Sequence, residues 1–152
     1  MHSAACQLWK AGFSVVPLYP RQKRPALAAW GHYKEKRCTL SEINQWWSTG
    51  SKQLFGIGVV TGAVSRDVVL DFDPAAGSTA EQLQKEAEDY FGQKFPVTCR
   101  VRTASGGWHD HYTTDKPVST RVLFSGKHGR IELRGEGSIV VMPPTSVPSK
   151  HG

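Results

Sequence analysis

The chain has 152 residues, 39% hydrophobic and 21% charged, enough to bury a core without metal or disulfide staples. No apolar run approaches the roughly 18 residues that span a bilayer, and Cys6, Cys38 and Cys99 are odd in number with no CxxC pair, which argues against a membrane span, a disulfide scaffold or a zinc knuckle. The formal charge of +6 favours a polyanionic partner, because Lys and Arg that neutralise phosphates gain from counterion release. These features predict one soluble, cytoplasmic domain with no membrane partner.

The first stretch, HSAACQLWKAG, sets Ala4, Leu8 and Ala11 at helical spacing and ends on Gly12. FSVVPL follows as a β-branched strand, broken by the basic turn YPRQKRP. Thr39 precedes Glu42 by three residues, a capping box that opens a short helix through Ile43, Trp46 and Trp47. On that amphipathic helix one of the tryptophans is expected in the core. FGIGVVTG and VVLDFDP then read as an antiparallel hairpin. Ser78 and Glu81 suggest a second capping box, with Leu83, Ala87 and Tyr90 along the buried face of a helix that Gly92 ends. VTCRVRTA, the turn SGG and WHDHYTT form a predicted hairpin, and RIELRG and SIVVMPP are two further strands around GEG. The order predicts an α+β fold with a mainly antiparallel sheet, preceded by an N-terminal αβ part over about residues 1–50.

Three of these strands carry polar residues that a buried strand does not need. In VVLDFDP the period of two sends Asp71 and Asp73 to one face, about 7 Å apart at the backbone, with Phe72 on the other. Two carboxylates on one face repel unless a cation sits between them, and a hard divalent ion such as Mg2+ or Mn2+ takes oxygen ligands. A solvated strand end before the Pro74 turn would also explain them. In TASGGWHDHY, Ser105, Gly106 and Gly107 form a tight turn whose N–H groups suit phosphate oxygens, and His109 and His111 share a face of the next strand. A plain hairpin with two surface histidines is the simpler alternative. In RIELRG, Glu132 and Arg134 share a face opposite Ile131 and Leu133, where a surface ion pair is the default explanation. Placed in one sheet, the three sets form one polar patch. Arg100 and Arg102, alternating on the strand before SGG, are expected to reach the same face.

The order and spacing of these motifs resemble the bifunctional primase/polymerase (prim-pol) domain of the archaeo-eukaryotic primase superfamily, almost end to end. The resemblance runs from GFSVVPLYPRQKRPALAAW through GIGVVTG, VVLDFDP and TASGGWHDHY to RIELRGEGSIVVMPPTS. It implies that fold, with an RRM-like antiparallel core over about residues 51–152 and the whole of 1–152 as one catalytic domain. It also implies a piece of a longer replication protein of a plasmid, phage or other mobile element. The terminal PSKHG, straight after a predicted strand, agrees with a chain that continues, where a fused or associated helicase would be ordinary.

By the same resemblance, Asp71, Asp73 and Glu132 are the catalytic, metal-binding acids, with two Mg2+ or Mn2+ ions as cofactors. His109 contacts the phosphates of the incoming nucleotide, and Ser105, Gly106, Gly107 and Arg134 hold its triphosphate. Lys23 matches a basic position of the N-terminal loop. The family usually has aspartate where Glu132 stands, and an aromatic or aliphatic residue where His111 stands. The implied reaction is nucleotidyl transfer from a dNTP or NTP to a 3′-hydroxyl on a single-stranded DNA template. The phosphate backbone of the template and primer would be tracked by Lys23, Arg24, Lys34, Lys36, Arg37, Arg100 and Arg102.

Three other classes compete. A DxD glycosyltransferase would use the aspartate pair alone, but leaves SGGWH and IELRG unexplained. An HUH nickase would use His109 and His111, but wants an apolar residue where Asp110 stands. A catalytically silent single-stranded nucleic-acid-binding module explains the charge and not the three acids.

Overall fold

The computed structural model describes residues 1–48 and 54–148. The expected boundary near residue 50 and the terminal residues 149–152 lie outside them. Helix α1 (His2–Lys10) runs to Gly12, whose φ of +105° stops it. Strand β1 (Ser14–Leu18) follows, then a single 3-10 turn (Gly31–Lys34) and helix α2 (Leu40–Trp46). Its capping box is as predicted: Thr39 Oγ1 accepts the Glu42 N–H at 3.2 Å, and Glu42 Oε2 accepts the Thr39 N–H at 2.7 Å. Of the paired tryptophans, Trp47 is buried and Trp46 half-buried. Strands β2 (Gly56–Val60) and β3 (Asp67–Pro74), helix α3 (Ala80–Phe91), and strands β4 (Cys99–Arg102), β5 (Trp108–Thr113), β6 (Arg121–Gly126), β7 (Gly129–Arg134) and β8 (Ile139–Met142) complete the described chain.

The class is α+β, as the sequence predicts, but the strands form two antiparallel sheets, β1-β2-β8 and β4-β5-β3-β7-β6. Two expectations therefore change. VVLDFDP is no hairpin partner of GIGVV: β2 lies between β1 and β8, while β3 is the centre of the larger sheet, and the ladder pairing between the two segments is limited to a bridge from Gly62, just after β2, to Asp67. Likewise β7 and β8, flanking GEG, part into different sheets. The two crossovers are tied together, which explains why both leave at the same place. Thr61 Oγ1 donates to the Gly135 carbonyl at 2.6 Å, and Glu136 Oε1 accepts the Ala63 N–H at 2.8 Å.

Each sheet has its own core. Ala5, Val15, Val16, Leu18, Ile43, Ile57 and Val59 pack α1 and α2 on the small sheet. Ala80, Leu83 and Ala87 of α3 pack on Leu70, Phe72, Trp108, Phe124, Ile131 and Leu133 of the large one. The α3 cap is Thr79 with Gln82, one residue later than the predicted Ser78 and Glu81; the Ser78 hydroxyl instead meets His128 Nδ1 at 3.1 Å. Tyr90 is exposed, not buried with Leu83 and Ala87; its ring lies against Phe91 and against Phe124 of the edge strand β6. Strand β6 was not expected: only Phe124 of its six residues is buried, and a register shift between Val122 and Phe124 interrupts its alternation.

Just before β5, Gly107 lies against β3, where an added Cβ would overlap the Phe72 carbonyl oxygen. Neither backbone can yield without moving the register that follows. Gly107→Ala should cost about 1–3 kcal/mol as an overpacking change, read as a lowered urea midpoint with an unchanged m-value.

Candidate active site

The larger sheet has two chemically distinct faces because β3 alternates strictly. Val68, Leu70 and Phe72 turn to α3, while Asp67, Val69, Asp71 and Asp73 turn the other way. The register brings the partners onto that second face. Asp71 stands directly opposite His109 of β5 on one side and Glu132 of β7 on the other; Val69 stands opposite His111 and Arg134, and Asp73 opposite Arg130. The three polar sets predicted to share one patch of one sheet thus meet around Asp71.

Like charges placed directly opposite on a sheet destabilise it, and here the conflict is between Asp71 and Glu132. Arg134 answers it. Its Nη2 donates to Asp71 Oδ2 at 3.0 Å, its Nε donates to the same oxygen at 3.2 Å, and Nη2 lies 3.0 Å from Glu132 Oε2. His109 Nε2 is 3.4 Å from Asp71 Oδ1, and Arg130 is 3.9 Å from Glu132. The pair that reads as a surface contact in sequence, Glu132 with Arg134, is therefore one side of a three-residue bridge. Burial pushes the Asp71 carboxyl up, but hydrogen bonds and charge from His109 and Arg134 outweigh it and hold the pKa below the usual carboxylate value.

The Ser105 to Gly107 turn sits at the Asp73 end of the face, because Trp108 is paired with Phe72. Within it Thr103 N–H donates to the Gly107 carbonyl at 3.0 Å and Gly106 N–H to the Thr103 carbonyl at 3.2 Å. The Gly106 N–H is thus spent inside the turn, against the expectation of a free donor there. The Ser105 hydroxyl lies 3.1 Å from that of Thr103. The turn between β6 and β7 closes the same end, since Gly129 pairs with Pro74.

Two arginines are not where the sequence reading puts them. Arg100 pairs with Asp110 and Arg102 with Trp108, so both point to the α3 face, away from Asp71. Arg100 forks onto Asp110 at 2.6 and 2.7 Å and lies 3.7 Å over the Trp108 ring, while Arg102 is 3.6 Å from Glu81. Lys23 and Arg24 are exposed on the loop after β1, outside the larger sheet, with Arg24 stacked on Tyr19. Lys34 covers the Trp30 ring, Lys36 is exposed, and Arg37 is committed to the Trp9 and Phe13 carbonyls.

One pair escaped the sequence reading. His111 Nδ1 lies 3.1 Å from Asp67 Oδ2, with both side chains buried. Asp67 is two and four residues before Val69 and Asp71 on the same alternation, and that spacing was the available signal. His111 Nε2 and His109 Nδ1 are buried without a hydrogen-bond partner.

Chemically, Asp71, Asp73 and Glu132 offer only oxygen donors on one face, the set a hard divalent cation takes. As placed, Arg134 and His109 already balance part of their charge, and among the described residues no three His, Cys, Asp or Glu side chains converge as a metal cage. Side chains of these two types can also hydrogen-bond phosphate oxygens. No helix among the described residues is long and apolar enough to cross a membrane.

The chain matches the model of the bifunctional DNA primase/polymerase N-terminal (Prim-Pol) domain over residues 5–152 and belongs to that family. A comparison with curated proteins finds no match. The family is one of DNA primases and polymerases, nucleotidyltransferase-type enzymes of DNA replication whose substrates are nucleotides and DNA.

Two measurements test the assignment of charges to the two faces. Arg100→Ala strands the buried Asp110 carboxylate and should cost about 1–3 kcal/mol in urea denaturation, with unchanged affinity for single-stranded DNA. For Asp71, a depressed folded-state pKa contributes stability above the unfolded value, near 3.9, and loses it as pH falls through the folded one. Wild-type stability should therefore drop more steeply than that of Asp71→Asn when urea midpoints are followed from about pH 5 to 2.

Proposed function

We propose that this chain is the catalytic domain of a DNA primase/polymerase of the archaeo-eukaryotic primase type, transferring a nucleotide from a dNTP or NTP to a 3′-hydroxyl on a single-stranded DNA template. The observation that carries this reading is the register of β3, which sets Asp71 opposite both His109 and Glu132. It draws VVLDFDP, SGGWH and IELRG onto one face, as one active centre requires. A silent nucleic-acid-binding module has no use for three carboxylates there, and an HUH nickase would need His111 free, whereas Asp67 and burial hold it.

In the reaction the 3′-hydroxyl loses its proton to solvent as its oxygen attacks the α-phosphorus, the bond from that phosphorus to the bridging oxygen of the β-phosphate breaks, and pyrophosphate leaves with that electron pair. Asp71, Asp73 and Glu132 would hold Mg2+ or Mn2+, which would supply activation of the 3′-oxygen and neutralisation of the developing phosphate charge. His109 and Arg134 would hold the triphosphate by charge-assisted hydrogen bonds, and the Ser105 hydroxyl at the sheet end would reach its tail. Because in-line displacement asks little covalent chemistry of the protein, alignment by these side chains is the main contribution. Lys23 and Arg24 form an exposed basic edge suited to a single-stranded backbone. A place in the cytoplasmic replication of a mobile element, with a helicase fused or associated, fits the same reading.

Primer extension on a single-stranded template with Mn2+ and dNTPs tests it. Asp71→Ala, Asp73→Ala and Glu132→Ala should each lower the rate by at least about 100-fold with far-UV circular dichroism unchanged. Wild-type activity in any one of them removes that residue from the mechanism.

A further inference from the structure

Arg134 bridges Asp71 and Glu132, two of the acids proposed to hold the cation. Its guanidinium contacts both carboxylates, at 3.0 Å from each. The backbone beneath it is fixed, since an added Cβ at the next residue, Gly135, would overlap the Val118 carbonyl. The side chain itself is 34% exposed, and its partner Asp71 is 19% exposed, against 2% for the Asp110 carboxylate that Arg100 serves on the other face. It therefore has a solvated route away from the acids. Among the described residues Asp73 makes no ion pair, which leaves one carboxylate free at the open end of the face.

A divalent cation arriving alone must displace Arg134 and leave it beside a like charge with no partner. A triphosphate changes this balance, because it is polyanionic and matches the guanidinium fork. We propose that Arg134 is a displaceable counter-ion that makes cation binding by Asp71 and Glu132 conditional on a nucleoside triphosphate. This rests on the nucleotidyl-transfer reading. Arg134 moves from the carboxylates to the phosphates as the nucleotide enters, so the empty site discriminates against free metal and the loaded one does not. Its place is that of a positioning residue until the triphosphate touches it.

The test uses the full chain and reads binding. Free Mn2+ is followed by electron paramagnetic resonance in a titration without nucleotide, and dATP binding is measured separately in EDTA. Arg134→Gln should bind Mn2+ about tenfold more tightly than wild type, an ordinary size for a coupling between ligands, and should bind dATP more weakly. Arg134→Lys, which keeps the charge without the fork, should fall between in both, and it serves if the Gln variant does not fold. Equal or weaker Mn2+ binding in Arg134→Gln, with Asp71→Asn still abolishing it, overturns the counter-ion role and leaves the active-site reading intact. Mn2+ binding that Asp71→Asn does not change, in wild type and Arg134→Gln alike, overturns both.

Discussion

Everything at the candidate site depends on the register of one strand. Because β3 is central, it fixes its neighbours on both sides, and its alternation decides which residues reach the core and which reach the acids. A slip of one residue would put Phe72 among the carboxylates and Asp71 and Asp73 against α3. The fold prevents this at considerable depth: Phe72 is fully buried between Trp108, Phe95 and the helix, and burial of such a ring contributes roughly 1.5–3 kcal/mol. The apolar face is thus what aims the polar one, and the aspartates inherit their direction from residues that take no part in the chemistry.

The polar face is itself graded along the strand. At its start, Val69 joins the core of the smaller sheet, and Asp67 and His111 are buried as a pair. At its end, Asp73 is exposed and two hairpin turns rim the sheet. Asp71 sits between, with 19% of its side chain exposed, low enough in dielectric for its ion pairs to matter and open enough for a ligand to exchange with them. The smaller sheet therefore does more than add a core. By covering one half of the face it confines the accessible acids to the other.

The local elements were legible in the sequence because their causes are local. The capping box at Thr39, the stop at Gly92 and the alternation in VVLDFDP all follow from a few neighbouring residues. Strand partnership was not, because adjacency in sequence made β2 with β3, and β7 with β8, look like hairpins. What separates them is a long-range arrangement: Thr61 and Ser65 are used by the crossovers, and β2 finds β1 and β8 instead. The motif residues around Asp71 could be named from sequence, whereas their electrostatic state could not. No spacing rule says that Arg134 reaches across from β7 to Asp71 of β3, since that contact depends on a register between strands 63 residues apart.

The two arginines that alternate before SGG show the same division more sharply. Period two places Arg100 and Arg102 on one face but leaves open which face, and the answer comes only from pairing with Asp110 and Trp108. Chemically, Arg100 with Asp110 and Arg134 with Asp71 are the same bond, a guanidinium on a carboxylate. They differ in what the carboxylate can do next. Asp110 is buried under the helix side of the sheet, so Arg100 cannot leave without stranding a charge. Asp71 faces an open rim with two further acids, where the proposed cation would take the place of Arg134. On the proposed reading the same interaction is a fixed support on one side of the sheet and an exchangeable one on the other, and the carboxylate's burial and its acidic neighbours make the difference.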